Sequence, residues 1–232
     1  MIVVITGASK GIGKSIATAF AQSGNVLLLC ARNAATLELT SEEIKKESTG
    51  VEVHYMAADL SKKAEVLAFA SWCLGFGVPE ILVNNAGSFV PGPLLTQNEN
   101  VMEQMMNINF YSAYYLCQQL VPAMQQLKRG HIFNICSVAA LKAYQDGGCY
   151  SISKFALDGL SKNLRYELME HGIKVTSVYP GAVLTDSWGN FNNEDLRIME
   201  AADIAAMVYA CSKLSVQAVV EEILLRPQLG DL

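Results

Sequence analysis

Apolar residues along this chain fall in short runs separated by stretches of helical period. Seven runs read as strands: IVVIT (2–6), VLLLCA (26–31), VEVHYMA (51–57), EILVNN (80–85), HIFNICS (131–137), KVTSVY (174–179) and EEILLRP (221–227). Several are apolar throughout instead of alternating, as expected of parallel strands covered on both faces. Between most of them lie helical stretches. GKSIATAFAQSG (13–24) is the clearest and NFYSAYYLCQQLVPAMQQLK (109–128) the longest. Strand–helix alternation with short connections predicts an α/β fold of the Rossmann type: a doubly wound, mostly parallel seven-stranded sheet with helices on both faces. No repeat, low-complexity tract or linker divides the chain, so residues 1–232 are expected to form one domain. The polar segment DSWGNFNNEDLRIME (186–200) follows a strand and carries two aromatics. It is expected to form a lid over a site, the alternative being a plain surface loop.

Composition narrows the class. The net charge of −5 argues against nucleic acid and anionic membranes, while leaving room for a basic cavity. The six cysteines, at 30, 73, 117, 136, 149 and 211, form no C-x-x-C or His/Cys cluster. They point neither to a disulfide frame nor to a metal site, and most sit in apolar runs. Buried thiols of this kind suit a reducing, cytoplasmic setting. MIVVI is too short for a signal-peptide core, and no apolar run reaches membrane-spanning length.

The first strand runs into a helix through Gly7, Gly11 and Gly13 in TGASKGIG. Such a loop turns sharply and lets a phosphate approach amides at a helix N-terminus. Its spacing is G-x-x-x-G-x-G, not the more familiar G-x-G-x-x-G. An NAD site usually has an acid at the end of the second strand to bind the ribose hydroxyls. Here Cys30, Ala31 and Arg32 stand there. With no carboxylate to repel a 2′-phosphate and Arg32 able to bind one, NADP(H) is expected over NAD(H). Lys10 is expected to add a second positive charge.

CYSISK (149–154) spaces Tyr150 and Lys154 one helical turn apart, so that the phenol and the ammonium can share a helix face. Tyr209 and Lys213 repeat the spacing. The pattern by itself leaves open which pair, if either, is chemical.

The order of motifs separates them. TGASKGIG (6–13), DL (59–60), NNAG (84–87), NINF (107–110), ICSVAA (135–140), YSISK (150–154) and PGAVLT (180–185) stand in sequence along nearly the whole chain. In this the chain resembles the short-chain dehydrogenase/reductase family. That family sets a serine about a dozen residues before its tyrosine and a helix asparagine further upstream. Ser137 and Asn109 fill those places for Tyr150, whereas the same offsets from Tyr209 fall on Leu196 and Leu168. The resemblance therefore implies a catalytic set of Asn109, Ser137, Tyr150 and Lys154. Tyr150 would be the acid in carbonyl reduction, with a pKa lowered by the Lys154 ammonium. Lys154 would also hold the nicotinamide ribose, Ser137 the substrate oxygen, and Asn109 a water returning protons to Lys154.

The same resemblance implies the rest of the cofactor site. Ser9 and Ile12 belong to the phosphate loop. Asp59 and Leu60 would face adenine. Asn85, with Ala86 and Gly87, would meet the adjoining ribose, while Asn84 braces strands. Pro180, Gly181 and Thr185 would border the nicotinamide, and Val183 would offer it backbone bonds. Ser151 and Ser153 are expected to be ordinary helix residues. Family members assemble as dimers or tetramers, and apolar residues on 109–128 and 150–170, such as Leu116, Leu120, Leu160 and Leu164, would serve such an interface.

The substrate is less legible. Phe89, Tyr144, Trp188 and Phe191 lie on three candidate wall segments and favour a small, neutral, flat or apolar carbonyl compound. The closing segments resemble bacterial sepiapterin-reductase-like members. TGASKGIG with NNAG also resembles 3-oxoacyl-carrier-protein reductases, for which Lys128 and Arg129 offer a small basic docking patch. A reading of another class, a non-catalytic nucleotide sensor, is disfavoured because Ser, Tyr and Lys are all present.

Overall fold

The computed structural model describes residues 1–22, 24–189 and 191–230. Seven strands form one sheet: β1 (Ile2–Thr6), β2 (Val26–Ala31), β3 (Glu52–Ala57), β4 (Ile81–Asn84), β5 (Gly130–Ile135), β6 (Ile173–Pro180) and β7 (Glu222–Leu225). Their order is β3-β2-β1-β4-β5-β6-β7, and every neighbouring pair is parallel. The strands match the apolar runs to within one or two residues at each end. The helices are α1 (Gly11–Phe20), α2 (Ala34–Glu47), α3 (Lys63–Leu74), α4 (Asn100–Met106), α5 (Ser112–Leu127), α6 (Gly148–Leu168) and α7 (Ala201–Ser212).

Apolar character at every strand position has a direct cause. Successive side chains of one strand enter opposite layers. Val3, Ile5, Leu27, Leu29 and Phe133 meet α1 and α7 through residues such as Ile16, Phe20, Ile204 and Val208. Val4, Leu28, Leu82 and Ile132 enter the other layer, with Phe69 of α3 and Leu116 and Leu120 of α5. All six cysteines are buried, and burial is the main cause that pushes the Cys30, Cys117 and Cys136 thiols up to about 12. Among the described residues no helix is long and apolar enough to cross a membrane.

The predicted long helix 109–128 is different in detail. α4 runs into α5 through a π-helical segment, Asn107–Tyr111. Such a bulge widens the helix by one residue and often marks a functional site. Here it carries the buried Asn109.

The strand order changes direction between β1 and β4, where connections leave for opposite sides of the sheet. In open α/β sheets the crevice beyond the carboxyl ends at this point holds ligands. Gly13 sits there under a severe constraint. A Cβ on it would lie 2.2 Å from the Gly7 carbonyl oxygen. Gly159, in α6, has nothing within 4 Å of its Cβ position. Gly13→Ala should therefore cost about 1–3 kcal/mol by overpacking, lowering Tm by about 3–10 °C. Gly159→Ala should stabilise by up to about 1 kcal/mol through helix propensity. Thermal unfolding of the two variants checks both signs.

Candidate active site

The site lies beyond the carboxyl ends of β1, β4, β5 and β6. Its floor is fixed by Thr6, the last residue of β1. The Thr6 hydroxyl accepts from the amides of Asn85 and Ala86, both at 2.9 Å, and donates to Val83 O at 3.3 Å. The Asn85 side chain donates to Thr6 O at 2.9 Å and Gly7 O at 3.1 Å. Gly7 and Gly11 have φ of 63° and 53°, in the left-handed region that favours glycine. The glycine loop is thus clamped to the end of β4, with its helix N-terminus open toward the crevice. Asn84 points the other way and donates to Asn134 of β5 at 2.7 Å, bracing the strands.

The four candidate catalytic residues converge. Ser137 follows β5 and caps a short 3-10 turn by accepting from Ala139 N at 3.1 Å. Tyr150 and Lys154 lie on the first turns of α6, with the Lys154 ammonium 5.8 Å from the phenol ring centre. Lys154 is buried, and its Nζ donates to the Ile135 carbonyl at 2.8 Å. A Cβ on Gly87 would lie 2.9 Å from Asn109 Oδ1 and 3.5 Å from Lys154 Nζ, so Gly87 leaves room for these two side chains beside β4.

The electrostatics differ from expectation. Burial pushes the half-buried Tyr150 phenol up to about 12, while Ser137, within reach of the hydroxyl, pulls it down. Burial brings Lys154 down to about 8. The ammonium is engaged by Ile135, and burial is the largest influence on the phenol. The expected lowering of the tyrosine pKa does not occur in this arrangement.

Two serines prove more important than ordinary helix residues. Ser153 is fully buried; its hydroxyl accepts from Asn109 Nδ2 at 2.9 Å and donates to Tyr150 O at 2.7 Å. Asn109 also accepts from Ser88 N at 2.8 Å and donates to Ser88 O at 3.0 Å. Ser151 donates to Ala139 O at 2.7 Å, holding α6 against the turn that follows Ser137. Both lie near Tyr150 on α6, but their partners are distant in sequence, so local pattern could not reveal them.

At the nucleotide end, Arg32 is exposed beyond β2. Burial raises the Asp59 carboxyl, but bonds from Ser61 and the charges of Lys62 and Arg32 outweigh this and hold it below the usual range. Leu60 is buried next to it and Ser9 accepts from Thr40 Oγ1 at 3.0 Å. Ile12 is partly buried and packs on the core beneath the loop. Lys10 departs from expectation: its ammonium is bonded to the carboxylate of Asp186, beyond β6. The side chain expected to stand ready for a 2′-phosphate is tied across the crevice instead.

Past β6, Pro180 ends the strand, and Gly181 N donates to Leu225 O at 2.8 Å. Met199 N donates to Ala182 O and Leu184 N to Met199 O. This parallel bridge directs the amide and carbonyl of Val183 to the opposite side. Thr185 packs over Gly11, its Cγ2 3.1 Å from where a Cβ would stand. Asp186–Trp188 form a 3-10 turn, so part of the expected lid is ordered structure lying across the glycine loop. Phe89 meets Tyr150 edge-on, with ring centres 4.9 Å apart, and Tyr144 is close enough to raise the Tyr150 pKa. Trp188 and Phe191 pair with each other at 5.2 Å.

Tyr209–Lys213 is a structural pair. The Lys213 ammonium lies 4.8 Å over the Tyr209 ring, which packs edge-on against Phe20 of α1. Among the described residues no cluster of His, Cys, Asp or Glu could hold a metal ion.

These features place the chain in a defined class. The profile of the family described as short chain dehydrogenase matches residues 1–196, and the chain belongs to that family. Sepiapterin reductase of Chlorobaculum tepidum is 38% identical, the alignment covering 100% of this chain and 98% of that protein. Among solved structures, an alcohol dehydrogenase from the archaeon Thermococcus sibiricus, complexed with 5-hydroxy-NADP, superposes with a TM-score of 0.91 at 29% identity, covering 98% of this chain and 96% of its own. A metagenomic short-chain oxidoreductase in complex with NADP gives 0.85 at 34% identity, covering 98% and 97%.

Nothing in the motif singles out Thr6, yet two partly buried amides depend on it. Thr6→Val keeps the shape and removes the acceptor. Leaving such donors unsatisfied should cost about 1–3 kcal/mol, measurable as a lower denaturation midpoint with an unchanged m-value.

Proposed function

We propose that this chain is an NADPH-dependent reductase of a small, neutral, flat or apolar carbonyl compound, of the sepiapterin or dicarbonyl kind, with Tyr150 as the proton donor. The observation that carries the reading is the convergence of Ser137, Tyr150 and Lys154 in one crevice with the clamped glycine loop. The residues suit the cofactor. Gly7, Gly11 and Gly13 make a cradle that side chains would fill, no acid ends β2, and Arg32 stands exposed beside it. When bound, the dihydronicotinamide supplies the hydride.

The protein supplies the proton and the orientation. Tyr150, held up near 12, is fully protonated at neutral pH and so loaded as an acid. Ser137 donates to the carbonyl oxygen and stabilises the charge that develops there. Lys154, near 8, is largely cationic at pH 7, holds ribose hydroxyls and favours the phenolate left behind. Asn109 anchors the water through which protons return, oriented by Ser88 and Ser153. Asp59, Leu60, Asn85 and Val183 bound the nucleotide from the two sides of the crevice. Phe89 and Tyr144 face the reacting carbonyl, with Trp188 and Phe191 on the opposite wall.

The carrier-protein reading has less support. Lys128 and Arg129 precede β5, at the opposite end of the sheet from the site, and Arg129 is paired with Glu80 at 3.4 Å. Leu116 and Leu120 are fully buried against the sheet and serve the core instead of an interface; assembly as a dimer or tetramer is supported by an exposed stripe on α6, where Ile152, Phe155 and Tyr166 share one face. The buried free thiols suit a cytoplasmic setting.

Turnover of NADPH with sepiapterin, a vicinal diketone and a 3-oxoacyl thioester tests the reading; preference for the thioester would overturn the substrate class. Tyr150→Phe should keep NADPH binding and lose about 2–4 orders of magnitude in turnover, while Tyr209→Phe stays near wild type. For the wild type, kcat/KM should fall as pH rises through about 8, where Lys154 loses its proton.

Nucleotide choice gives a second test. Arg32→Ala should cost about 10- to 150-fold in NADPH affinity, the equivalent of a charge-assisted bond, with little change for NADH. Asp186→Asn frees Lys10 from its exposed partner and should tighten NADPH by up to about 5-fold. Ala31→Asp with Arg32→Ala should reverse the preference. Fluorescence titrations of both nucleotides check all three, and an NADH-preferring wild type would overturn the assignment.

A further inference from the structure

We propose that Gln97 is a positioning residue that fixes the substrate-facing wall against Tyr150. The inference rests on the reading of Tyr150 as the acid. Three segments meet at this side chain: the loop after β4, the loop before α6, and the first turn of α6. Gln97 Oε1 accepts from the Cys149 amide at 3.1 Å, and Nε2 donates to Val90 O at 3.1 Å. A third bond, Gly92 N to Asp146 O at 2.9 Å, closes the joint between the two loops.

The Cys149 amide is one of the first-turn donors that a helix cannot satisfy from within. Gly147, at the N-cap of α6, has no side chain to offer. Gln97 therefore caps α6 from fifty-two residues upstream. The capped amide belongs to the residue before Tyr150, and the carbonyl bonded by the other end belongs to the residue after Phe89. Phe89 in turn touches the Tyr150 ring. One amide group thus holds both members of that contact.

The packing leaves no slack. A Cβ on Gly148 would lie 2.3 Å from Gly92 O and 2.5 Å from Gln97 Oε1; one on Gly92 would lie 2.9 Å from Gln97 Cγ. Gly92 and Gly148 also have positive φ, 150° and 39°. Both glycines are required by the approach of Gln97 and the two loops. The primary amide is required because one end must accept and the other donate.

Two variants separate its functions. Gln97→Met keeps the volume and loses both bonds. Gln97→Glu keeps the acceptor for Cys149 and loses the donor to Val90. With a vicinal diketone as probe, both should raise KM about 5- to 20-fold, as expected for a lost hydrogen bond in the wall, and leave the NADPH Kd unchanged. Only Gln97→Met should also lower kcat, by about 10-fold, and speed hydrogen exchange at the Cys149 amide. A merely structural role would move thermal stability without this split. The proposal is overturned if KM stays within about 2-fold of wild type in both variants, or if Cys149 exchanges alike in Gln97→Met and wild type. Loss of activity in Tyr150→Phe alongside wild-type behaviour of both Gln97 variants would reject this proposal alone. Activity retained in Tyr150→Phe would reject the underlying reading.

Discussion

An ammonium buried under the crevice organises the catalytic half of this protein. Lys154 is 5% exposed, and taking a charge out of water is costly unless a partner is supplied. The Ile135 carbonyl supplies one where β5 ends, one residue past its last pairing with β4 at Asn84 and Asn134. The bond fixes the depth of α6 over the sheet. Fixing α6 in turn places Tyr150 at the rim and Ser137 opposite it. Burial also lowers the ammonium's pKa to about 8, so the group that positions the site is poised to change charge near working pH. Structure and proton economy share one cause.

The sheet was legible because its signal is local. Strands buried on both faces read as continuous apolar runs, and each of the seven lies where its run predicts. The glycine loop was legible for a similar reason: Gly7 and Gly11 take conformations that other residues avoid, and Gly13 has no space for a side chain. What local spacing could not distinguish was Tyr150–Lys154 from Tyr209–Lys213, since i,i+4 spacing specifies a shared face and nothing about depth. In the structure the first lysine is buried against a strand end, whereas the second lies over its own tyrosine ring. Only the order of surrounding motifs carried that difference.

The remaining features join residues far apart in the chain. Lys10 meets Asp186 across 176 positions, and Asn109 meets Ser153 across 44. No pattern within one element announces such pairs. The misjudged tyrosine pKa has the same origin: spacing predicted a neighbouring charge, but desolvation depends on everything packed around the phenol. Ser151 and Ser153 read as ordinary helix residues because a buried serine and a solvated one look alike in a helical run.

The two halves of the crevice are built to different tolerances. The side after β4 and β5 is tied by buried and partly buried hydrogen bonds, joining Thr6 to Asn85 and Asn109 to Ser88 and Ser153. Buried polar groups satisfied in this way specify one arrangement, because any shift strands a donor or acceptor. The side after β6 carries a short bridge, the Asn193–Ile198 bonds, an aromatic pair and an exposed ion pair. Exposed ion pairs contribute about 0–1 kcal/mol, so the Lys10–Asp186 bond can open at little cost. Reaction chemistry needs the first kind of construction, since hydride and proton transfer depend on fixed distances. Family membership nonetheless reads from both sides, because PGAVLT after β6 is as local in the chain as NNAG and YSISK, whereas the aromatics Trp188 and Phe191 fall outside those motifs.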